Sequence, residues 1–443
     1  MLNANQEYIN GRMKVCKKND GIPQELYDKY HVFRGLRDLN GNGVLTGLTN
    51  ISKIKAFDVA ADGRKVPAEG ELWYRGYKVE ELFQWLDRRL GFEAIAYLLL
   101  MGDLPSKVEE KEFSQFLVEM RKLPKNFAKD VIMKASTEDI MNNMTRSVLT
   151  LASYDRSIKN MSLEVSLRQC IQLISEFPLI AIYGYHAYNH YVKGNDMFIH
   201  RPDPALSTAE NILMMLRPDK TYTDVEAKVL DTALILHMEH GGGNNSTFTT
   251  RVVTSSGSDT YSTMAAAMSS LKGSKHGGAN IKVVEMMKDI AKNVNDYSDR
   301  EEVTAYLTRM LDKEVFDKQG LIYGMGHAVY SISDPREVIF KAYVKELALQ
   351  KGKEKQLQLY ENVEQEAIRL ICEKRHIYKG VCPNIDFYSG FVYNMLGIPK
   401  ELFTPMFAIA RIVGWSAHRM EELIGVNKII RPAYMSIMQE REL

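Results

Sequence analysis

The chain has 443 residues, of which 45% are hydrophobic, and its 57 basic side chains nearly balance 56 acidic ones, giving a net charge of +1. This length allows roughly three domains of ~150 residues and a large buried core. The near-neutral balance excludes the basic excess typical of a nucleic-acid-binding protein. Four scattered cysteines without a C-x-x-C pair favour a reducing compartment and argue against a structural zinc site.

The first twenty residues include Glu7 and Asp20 and have no apolar run, so they predict neither a secretory signal nor an ordinary transit peptide. No window approaches about 18 uninterrupted apolar residues, so we expect no membrane span. These features predict a soluble cytoplasmic protein with no nucleic-acid or membrane partner.

In chain order, residues 1–30 predict one helix followed by loose chain. Residues 31–75 are richer in Gly and Asp, and short strands are expected around 43–47 and 71–74. From Val79 onward, apolar residues at helical spacing dominate, and the clearest predicted helices are 108–123, 162–191, 224–240 (capped by Thr223), 262–268, 279–294, 335–351, 386–396 and 404–424. The fold class predicted is all-α with a minor N-terminal β element.

The first chemically informative segment is His237-Met-Glu-His240, which precedes three glycines and Asn244. Histidines three residues apart share a face if the helix continues through both. A metal site is disfavoured because a third ligand and an HExxH pattern are missing, and a phosphate loop because no Lys-Ser or Lys-Thr follows the glycines. Taken alone, the segment is best interpreted as a capped helix end with solvated histidines.

The second segment, LKGSKHGGAN, places His276 between two predicted helices and directly before Gly277 and Gly278. Glycines adopt backbone conformations closed to other residues and allow a ligand to approach closely. The alternative is a C-capping turn whose histidine faces the last carbonyl groups of a helix.

The third and fourth segments each combine a polar side chain with a predicted helix start. In YGMGHAVY, glycines flank His327, and Arg336 follows Asp334-Pro335, where an arginine could bind a carboxylate with two parallel hydrogen bonds. A surface arginine is the alternative.

In CPNIDFYSG, Asp386 enters an apolar helix, where the alternative is an ordinary N-cap.

Together these segments resemble the citrate synthase family. HMEHGGGNNST, LKGSKHGGAN, GMGHAVY with DPR, and CPNIDFYSG occur in that family's order and at about its spacings. They are followed by FTPMFAIARIVGWSAHRMEE and an Ile-Arg-Pro at 430–432. The resemblance covers most of residues 34–432.

The resemblance implies an acyltransferase that converts an acyl group to an alkyl group on transfer. It would condense oxaloacetate with acetyl-CoA in the tricarboxylic acid cycle, releasing citrate and CoA, with no tightly bound cofactor and no metal. It further implies a homodimer, possibly a higher oligomer. A large dimerisation domain (1–276 and 388–443) would carry a small domain on the coenzyme A side (277–387) that closes over the cleft.

Carried over by motif, the implied residues fall into three groups. The catalytic group is His276, which stabilises the enol(ate), His327, which polarises the oxaloacetate carbonyl, and Asp386, which acts as base. The substrate group is His240, Asn244, Arg336, Arg411 and Arg431, the last reaching in from the partner subunit. The coenzyme A group is Leu321, Tyr323, Gly324, Gly326 and Lys379.

Three departures from the family pattern bear on these roles. Gly241 stands where an acidic residue is common, and residues 331–333 (Ser-Ile-Ser) replace basic ones that could neutralise coenzyme A phosphates. After Arg431-Pro432 the usual spacing is lost, which makes Arg431 the least secure assignment. The alternatives are 2-methylcitrate synthase, which uses propionyl-CoA with the same residues, and a non-catalytic dicarboxylate-binding protein. The second is disfavoured because all three catalytic positions are kept.

Overall fold

The computed structural model describes residues 2–38, 43–327, 329–377, 380–425 and 428–442, and the chain divides into two compact units, Met1–Leu48 and Thr49–Leu443. In the first unit, α1 (Leu2–Asp20) and α2 (Gln24–Lys29) precede a short 3-10 turn, Arg34–Leu36. The predicted first helix is present. The predicted strand at 43–47 is wrong, because Gly43 forms only an isolated bridge with Arg37.

The second unit begins with a small antiparallel sheet in the order β1 (Ser52–Val59), β2 (Lys65–Tyr74) and β3 (Tyr77–Lys78). Ser52 pairs with Tyr74, and the register shifts between Lys55 and Phe57. The predicted strand at 71–74 is the end of β2. The strand β1 was not predicted from the sequence.

Helices build the rest of the described second unit. Their bounds are α3 (Val79–Leu86), α4 (Phe92–Met101), α5 (Lys107–Met120), α6 (Ile140–Leu151), α7 (Leu163–Tyr191), α8 (Thr208–Leu216), α9 (Asp224–His237), α10 (Asn245–Ser255), α11 (Thr260–Leu271), α12 (Ala279–Asn293), α13 (Arg300–Leu311), α14 (Pro335–Gln350), α15 (Glu354–Arg375), α16 (Asp386–Met395) and α17 (Phe403–Gly425). As predicted, Thr223 caps α9, with its hydroxyl accepting from the Glu226 backbone N–H. The all-α class with a minor β element is confirmed.

The two long helices α7 and α17 form the centre of the core. They pack against each other, and α17 also packs against α4, α9 and α10. By length and composition α7 could cross a membrane, but most of its apolar window is buried inside the protein, as the sequence predicts for a core helix. Since α17 touches so many elements, it can hold residues from distant parts of the chain in one place.

Helix ends and the loops beside them carry the predicted site residues. They lie after α9, at the start of α10, between α11 and α12, between α13 and α14, at the starts of α14 and α16, and after α17. Arg411 is the exception, because it lies inside α17. The proposed division into a large domain and a 277–387 domain stays a prediction.

Candidate active site

His276 lies in the turn between α11 and α12. Gly277 is needed beside it, because a Cβ there would come 2.3 Å from the Leu271 carbonyl oxygen. The imidazole faces Phe407, with ring centroids 6.3 Å apart. Burial and the nearby Arg411 cation lower the pKa of His276 to about 4. The ring is therefore neutral at pH 7.

Ser246, near the start of α10, fixes the tautomer of that ring. Its hydroxyl oxygen lies 3.0 Å from His276 Nε2, and its backbone nitrogen lies 3.4 Å from the same atom. The Trp415 indole N–H donates to the serine hydroxyl oxygen over 3.2 Å. A backbone N–H can only donate, so His276 Nε2 is an acceptor and its proton is on Nδ1. The contact is with a serine of another helix, not with the carbonyl groups of a C-capping turn.

His327 is held in the loop before α14. Its Nδ1 accepts from the backbone N–H groups of Val329 (3.0 Å) and Tyr330 (3.2 Å). Two obligatory donors at Nδ1 assign the proton to Nε2. The Tyr330 ring stacks on the imidazole at 4.8 Å and 28°. Burial and the Arg336 cation lower the pKa of His327 to about 4, so this ring too is neutral.

His240 joins His327 and Tyr330 in one cluster. Its ring centroid is 5.0 Å from that of His327, and its Nε2 lies 3.2 Å from the Tyr330 hydroxyl. Burial holds the pKa of His240 well below its ordinary value. The prediction that His237 and His240 share a helix face is wrong, because α9 ends at His237. Instead, His237 Nδ1 bonds the Ala233 carbonyl oxygen over 2.7 Å.

Glu239 explains why α9 ends there. Its Oε1 accepts from the Ser52 hydroxyl (2.8 Å), from His418 Nε2 (2.9 Å) and from the Gly241 backbone (2.6 Å), and Gly241 has a φ of +80°. Burial acts to raise the pKa of Glu239, but His418, Arg411 and these hydrogen bonds outweigh it and lower the value to about 2. The buried carboxylate thus fixes a turn that carries His240 into the cluster.

Arg336 is the second residue of α14, whose N-cap is Asp334. Its Nε and Nη2 donate to the two Asp334 carboxylate oxygens over 3.0 and 2.7 Å. The side chain is buried, so the surface-arginine alternative is wrong. Arg336 Nη2 also lies 3.5 Å from His327 Nε2. Both atoms are donors, so they cannot bond each other but can share one acceptor oxygen.

Arg411 is also buried, but its contacts differ from those of Arg336. Its Nε donates to the His237 carbonyl oxygen over 2.7 Å, and its guanidinium lies over the Phe407 ring at 4.7 Å. In the described part of the chain, no carboxylate forms a salt bridge with it. Burial lowers the pKa of Arg411 to about 10, and the more distant Glu239 partly offsets that effect. A buried arginine without a paired acid is suited to binding an anionic ligand.

Asp386 is the first residue of α16, and the N-cap position belongs to Ile385. The Asp386 carboxylate accepts no hydrogen bond from any residue that the structure describes, so the N-cap alternative is wrong. Burial raises its pKa to about 6, although the cations Arg336 and Arg411 act to lower it. A half-buried carboxylate with a raised pKa is a candidate general base.

Four of the residues predicted for the coenzyme A side lie in one loop, and the fifth is Lys379. Leu321 is exposed, and the Tyr323 hydroxyl donates to Asp317 over 2.5 Å. Gly324 and Gly326 have φ values of +80° and +88°. Lys379 lies outside the described residues.

Asn244 and Arg431 differ in how they relate to the cluster. Asn244 caps α10, with its Oδ1 accepting from the Thr247 N–H over 3.1 Å and its Nδ2 donating to the Gly241 carbonyl over 2.9 Å. Arg431 is exposed in the final segment, which has no regular secondary structure. No hydrogen bond or ion pair joins Arg431 to the other predicted residues within the described chain.

Five residues that support this site were not predicted from the sequence, namely Glu239, Ser246, Tyr330, Trp415 and His418. All five lie inside the quoted motifs, which was the available signal. Their roles depend on contacts between distant segments. In the described residues, no group of three metal-ligating side chains comes together.

Comparisons with known proteins agree on one family. The family model "Citrate synthase, C-terminal domain" matches residues 39–433. A citrate synthase of Synechocystis sp. is 33% identical over 88% of this chain and 90% of its own length. A 2-methylcitrate synthase of Corynebacterium glutamicum is 30% identical over 88% of this chain and 92% of its own length. A Thermoplasma acidophilum citrate synthase, solved with carboxymethyl coenzyme A and oxaloacetate, is similar with a TM-score of 0.73 and 26% identity over 93% of this chain and 97% of that one.

Proposed function

The chain belongs to the citrate synthase family, and from that premise we propose that it condenses oxaloacetate with acetyl-CoA to give citrate and free CoA. The main support for the proposal is the Asp386 carboxylate, whose pKa is raised and which interacts electrostatically with the buried cations Arg336 and Arg411. A base, a dicarboxylate and two neutral hydrogen-bond donors are what this condensation requires.

Asp386 and His276 act on the thioester. The methyl protons of acetyl-CoA are very weakly acidic, so a carboxylate can remove one only if the developing enolate oxygen is stabilised at the same time. His276 Nδ1–H is the donor left available for that oxygen, because Ser246 occupies Nε2. Asp386 takes the proton, and the methyl carbon becomes the nucleophile.

His327 and Arg336 act on oxaloacetate. The nucleophilic carbon attacks the keto carbon, a C–C bond forms, and negative charge moves to the keto oxygen. His327 Nε2–H and Arg336 Nη2 lie 3.5 Å apart, and together they can stabilise or protonate that oxygen. Attack of water on the citryl thioester then releases CoA and makes the overall reaction effectively irreversible.

Arg411, Arg336 and His240 hold the dicarboxylate. Oxaloacetate brings two negative charges, and Arg411 is a buried guanidinium with no acid in hydrogen-bond contact among the described residues. Asn244, whose Nδ2 donates to the carbonyl of Gly241 directly after His240, is the fourth residue of this group. Acetyl-CoA and oxaloacetate are then the two small-molecule partners, with CoA as a product and not a resident cofactor.

We extend the proposal to a homodimer in which Arg431 completes the site of the partner subunit. Its exposed side chain in an apolar C-terminal segment, with Ile429, Tyr434 and Met435 also exposed, supports this assignment. A mixed dimer of Arg431→Leu and Asp386→Asn chains should regain part of the activity that each variant alone lacks.

The test is oxaloacetate-dependent thiol release, followed in parallel with acetyl-CoA and propionyl-CoA. We expect kcat/KM to be higher for acetyl-CoA. A preference for propionyl-CoA would instead support 2-methylcitrate synthesis, the activity in the name of a relative at 30% identity. One methyl group shifts selectivity by only ~1–3 kcal/mol, so both substrates must be measured. No oxaloacetate-dependent release with either thioester would overturn the proposal.

A further inference from the structure

The segment that precedes Asp386 is bound edge to edge with the segment that precedes His327. Two backbone hydrogen bonds join them, from Gly326 N–H to Cys382 O (2.8 Å) and from Asn384 N–H to Gly324 O (2.9 Å), and this pair makes Met325 and Pro383 an antiparallel bridge. The approach is close, because a Cβ on Gly324 would come 3.0 Å from the Phe387 Cα. The two segments therefore form a single local structure.

The side chain of Asn384 closes this structure at its end nearest the proposed base. Its Nδ2 donates to the Gly326 carbonyl over 2.9 Å, and its Oδ1 accepts from the Asp386 backbone N–H over 3.0 Å. Gly326 is directly followed by His327. One amide group thus joins the residue beside the keto-polarising histidine to the backbone of the base.

We propose that Asn384 is a positioning residue that sets the placement of Asp386 relative to His327, an inference that rests on the proposed function. Condensation needs the methyl carbon, activated at Asp386, to reach the keto carbon held at His327, and a misplacement of 1 Å can lower the rate by about 10²-fold. The same amide links Asp386 to the loop at 321–326, assigned above to the coenzyme A side. Ordering of that loop and placement of the base are therefore coupled through Asn384.

The alternative role is a turn at the start of α16 and nothing more. The substitution Asn384→Ser distinguishes the positioning role from the turn role. A serine hydroxyl can still accept a hydrogen bond from the backbone N–H two residues on, as asparagine does, only more weakly. A serine at position 384 is too short to keep the hydrogen bond to Gly326. Asn362 offers a matched control, since its Nδ2 donates over 2.7 Å to the carbonyl of Tyr297, where α15 contacts the loop between α12 and α13.

The experiment compares Asn384→Ser, Asn384→Ala and Asn362→Ala with the wild-type chain. We expect both Asn384 variants to lose about 10–100-fold in kcat while KM for oxaloacetate changes by no more than about twofold. Asn362→Ala should lower Tm and leave kcat unchanged. A wild-type kcat in Asn384→Ser, or a loss seen only in KM for oxaloacetate, would overturn the inference.

Hydrogen exchange measured by mass spectrometry tests the coupling without turnover. In Asn384→Ser, peptides from 321–327 and from 382–390 should exchange faster together, whereas Asn362→Ala should leave both unchanged. Independent behaviour of the two peptides would contradict the coupling. Absence of thiol release by the wild-type chain would instead overturn the proposed function, so the two failures can be told apart.

Discussion

Ser246 presents both its backbone N–H and its hydroxyl to Nε2 of His276, at 3.4 and 3.0 Å. This contact assigns the ring proton to Nδ1 and leaves that nitrogen as the donor toward the substrate. Because the hydroxyl also accepts from Trp415, one serine links the orientation of the imidazole to the packing of α10 against α17.

Ser246→Ala should therefore lower both activity and stability. We expect kcat to fall roughly tenfold or more, since a positioned donor contributes most in the transition state. The indole N–H of Trp415 loses its acceptor, at a cost of about 1–3 kcal/mol in the free energy of unfolding. Steady-state kinetics and thermal denaturation measure the two effects. Ser269→Ala is the control, because among the described residues the Ser269 hydroxyl bonds only the Ala265 carbonyl of its own helix, and equal kcat losses in both variants would contradict the assignment.

Arg336→Leu and Arg411→Leu should weaken oxaloacetate binding far more than acetyl-CoA binding. Loss of a charge-assisted contact in a desolvated site costs roughly 2–5 kcal/mol. Calorimetric titration of each variant measures this directly. Arg309→Leu is the control, because Arg309 pairs with Glu314 at the surface. Equal losses for both ligands would count against the carboxylate assignment.

The rate should depend on pH through Asp386. Its pKa is raised to about 6, so kcat/KM should rise between about pH 5 and 7 as the carboxylate ionises. His276 and His327, whose pKa values are lowered to about 4, stay neutral through this range. A midpoint near pH 4 in kcat/KM, measured where the fold is intact, would contradict a base with a raised pKa.

The raised pKa of Asp386 also predicts that the protein becomes less stable as pH rises, whereas the rate increases. The folded state favours protonated Asp386, so its contribution to stability is present below the ordinary pKa of 3.8 and is lost as pH rises through about 6. Asp386→Asn removes that loss and should raise Tm at pH 7–8, with little change near pH 4. An equal or lower Tm at pH 8 would contradict the burial argument.

The sequence predicted the segments of this site better than the contacts that assemble it. His276, His327, Arg336 and Asp386 are marked by local patterns of glycine, proline and helix starts. Local spacing also predicted that α9 continues to His240. That expectation failed because Glu239 bonds Ser52 and His418, which are 187 and 179 residues away in the chain.

Other contacts between distant segments also could not be predicted from local sequence patterns. Trp415 and Ser246 are separated by 169 residues, so the spacing of apolar side chains could not reveal that they meet. The long helix α7 was predictable because its periodic apolar residues and its Ser162 cap are local. The strand β1 was missed because its pairing with β2, and not its own composition, defines it.

We expect the proposed small domain to close when oxaloacetate binds. If residues 277–387 form a small domain, oxaloacetate should draw it over the rest of the chain, since His327 and Arg336 lie inside that segment and His240 and Arg411 lie outside it. Closure would exclude water and protect acetyl-CoA from hydrolysis. Small-angle scattering with and without oxaloacetate should show a smaller radius of gyration in the complex. An unchanged radius at saturating oxaloacetate would contradict closure.

The central claim, that Asp386 is the base of a condensation on bound oxaloacetate, is tested most directly with Asp386→Asn. Turnover should be measured by thiol release from acetyl-CoA, and oxaloacetate binding by calorimetry on the same preparation. We predict that turnover falls by about 10²–10⁴-fold while the Kd for oxaloacetate changes by no more than about threefold. A folded variant that turns over at the wild-type rate would contradict the account.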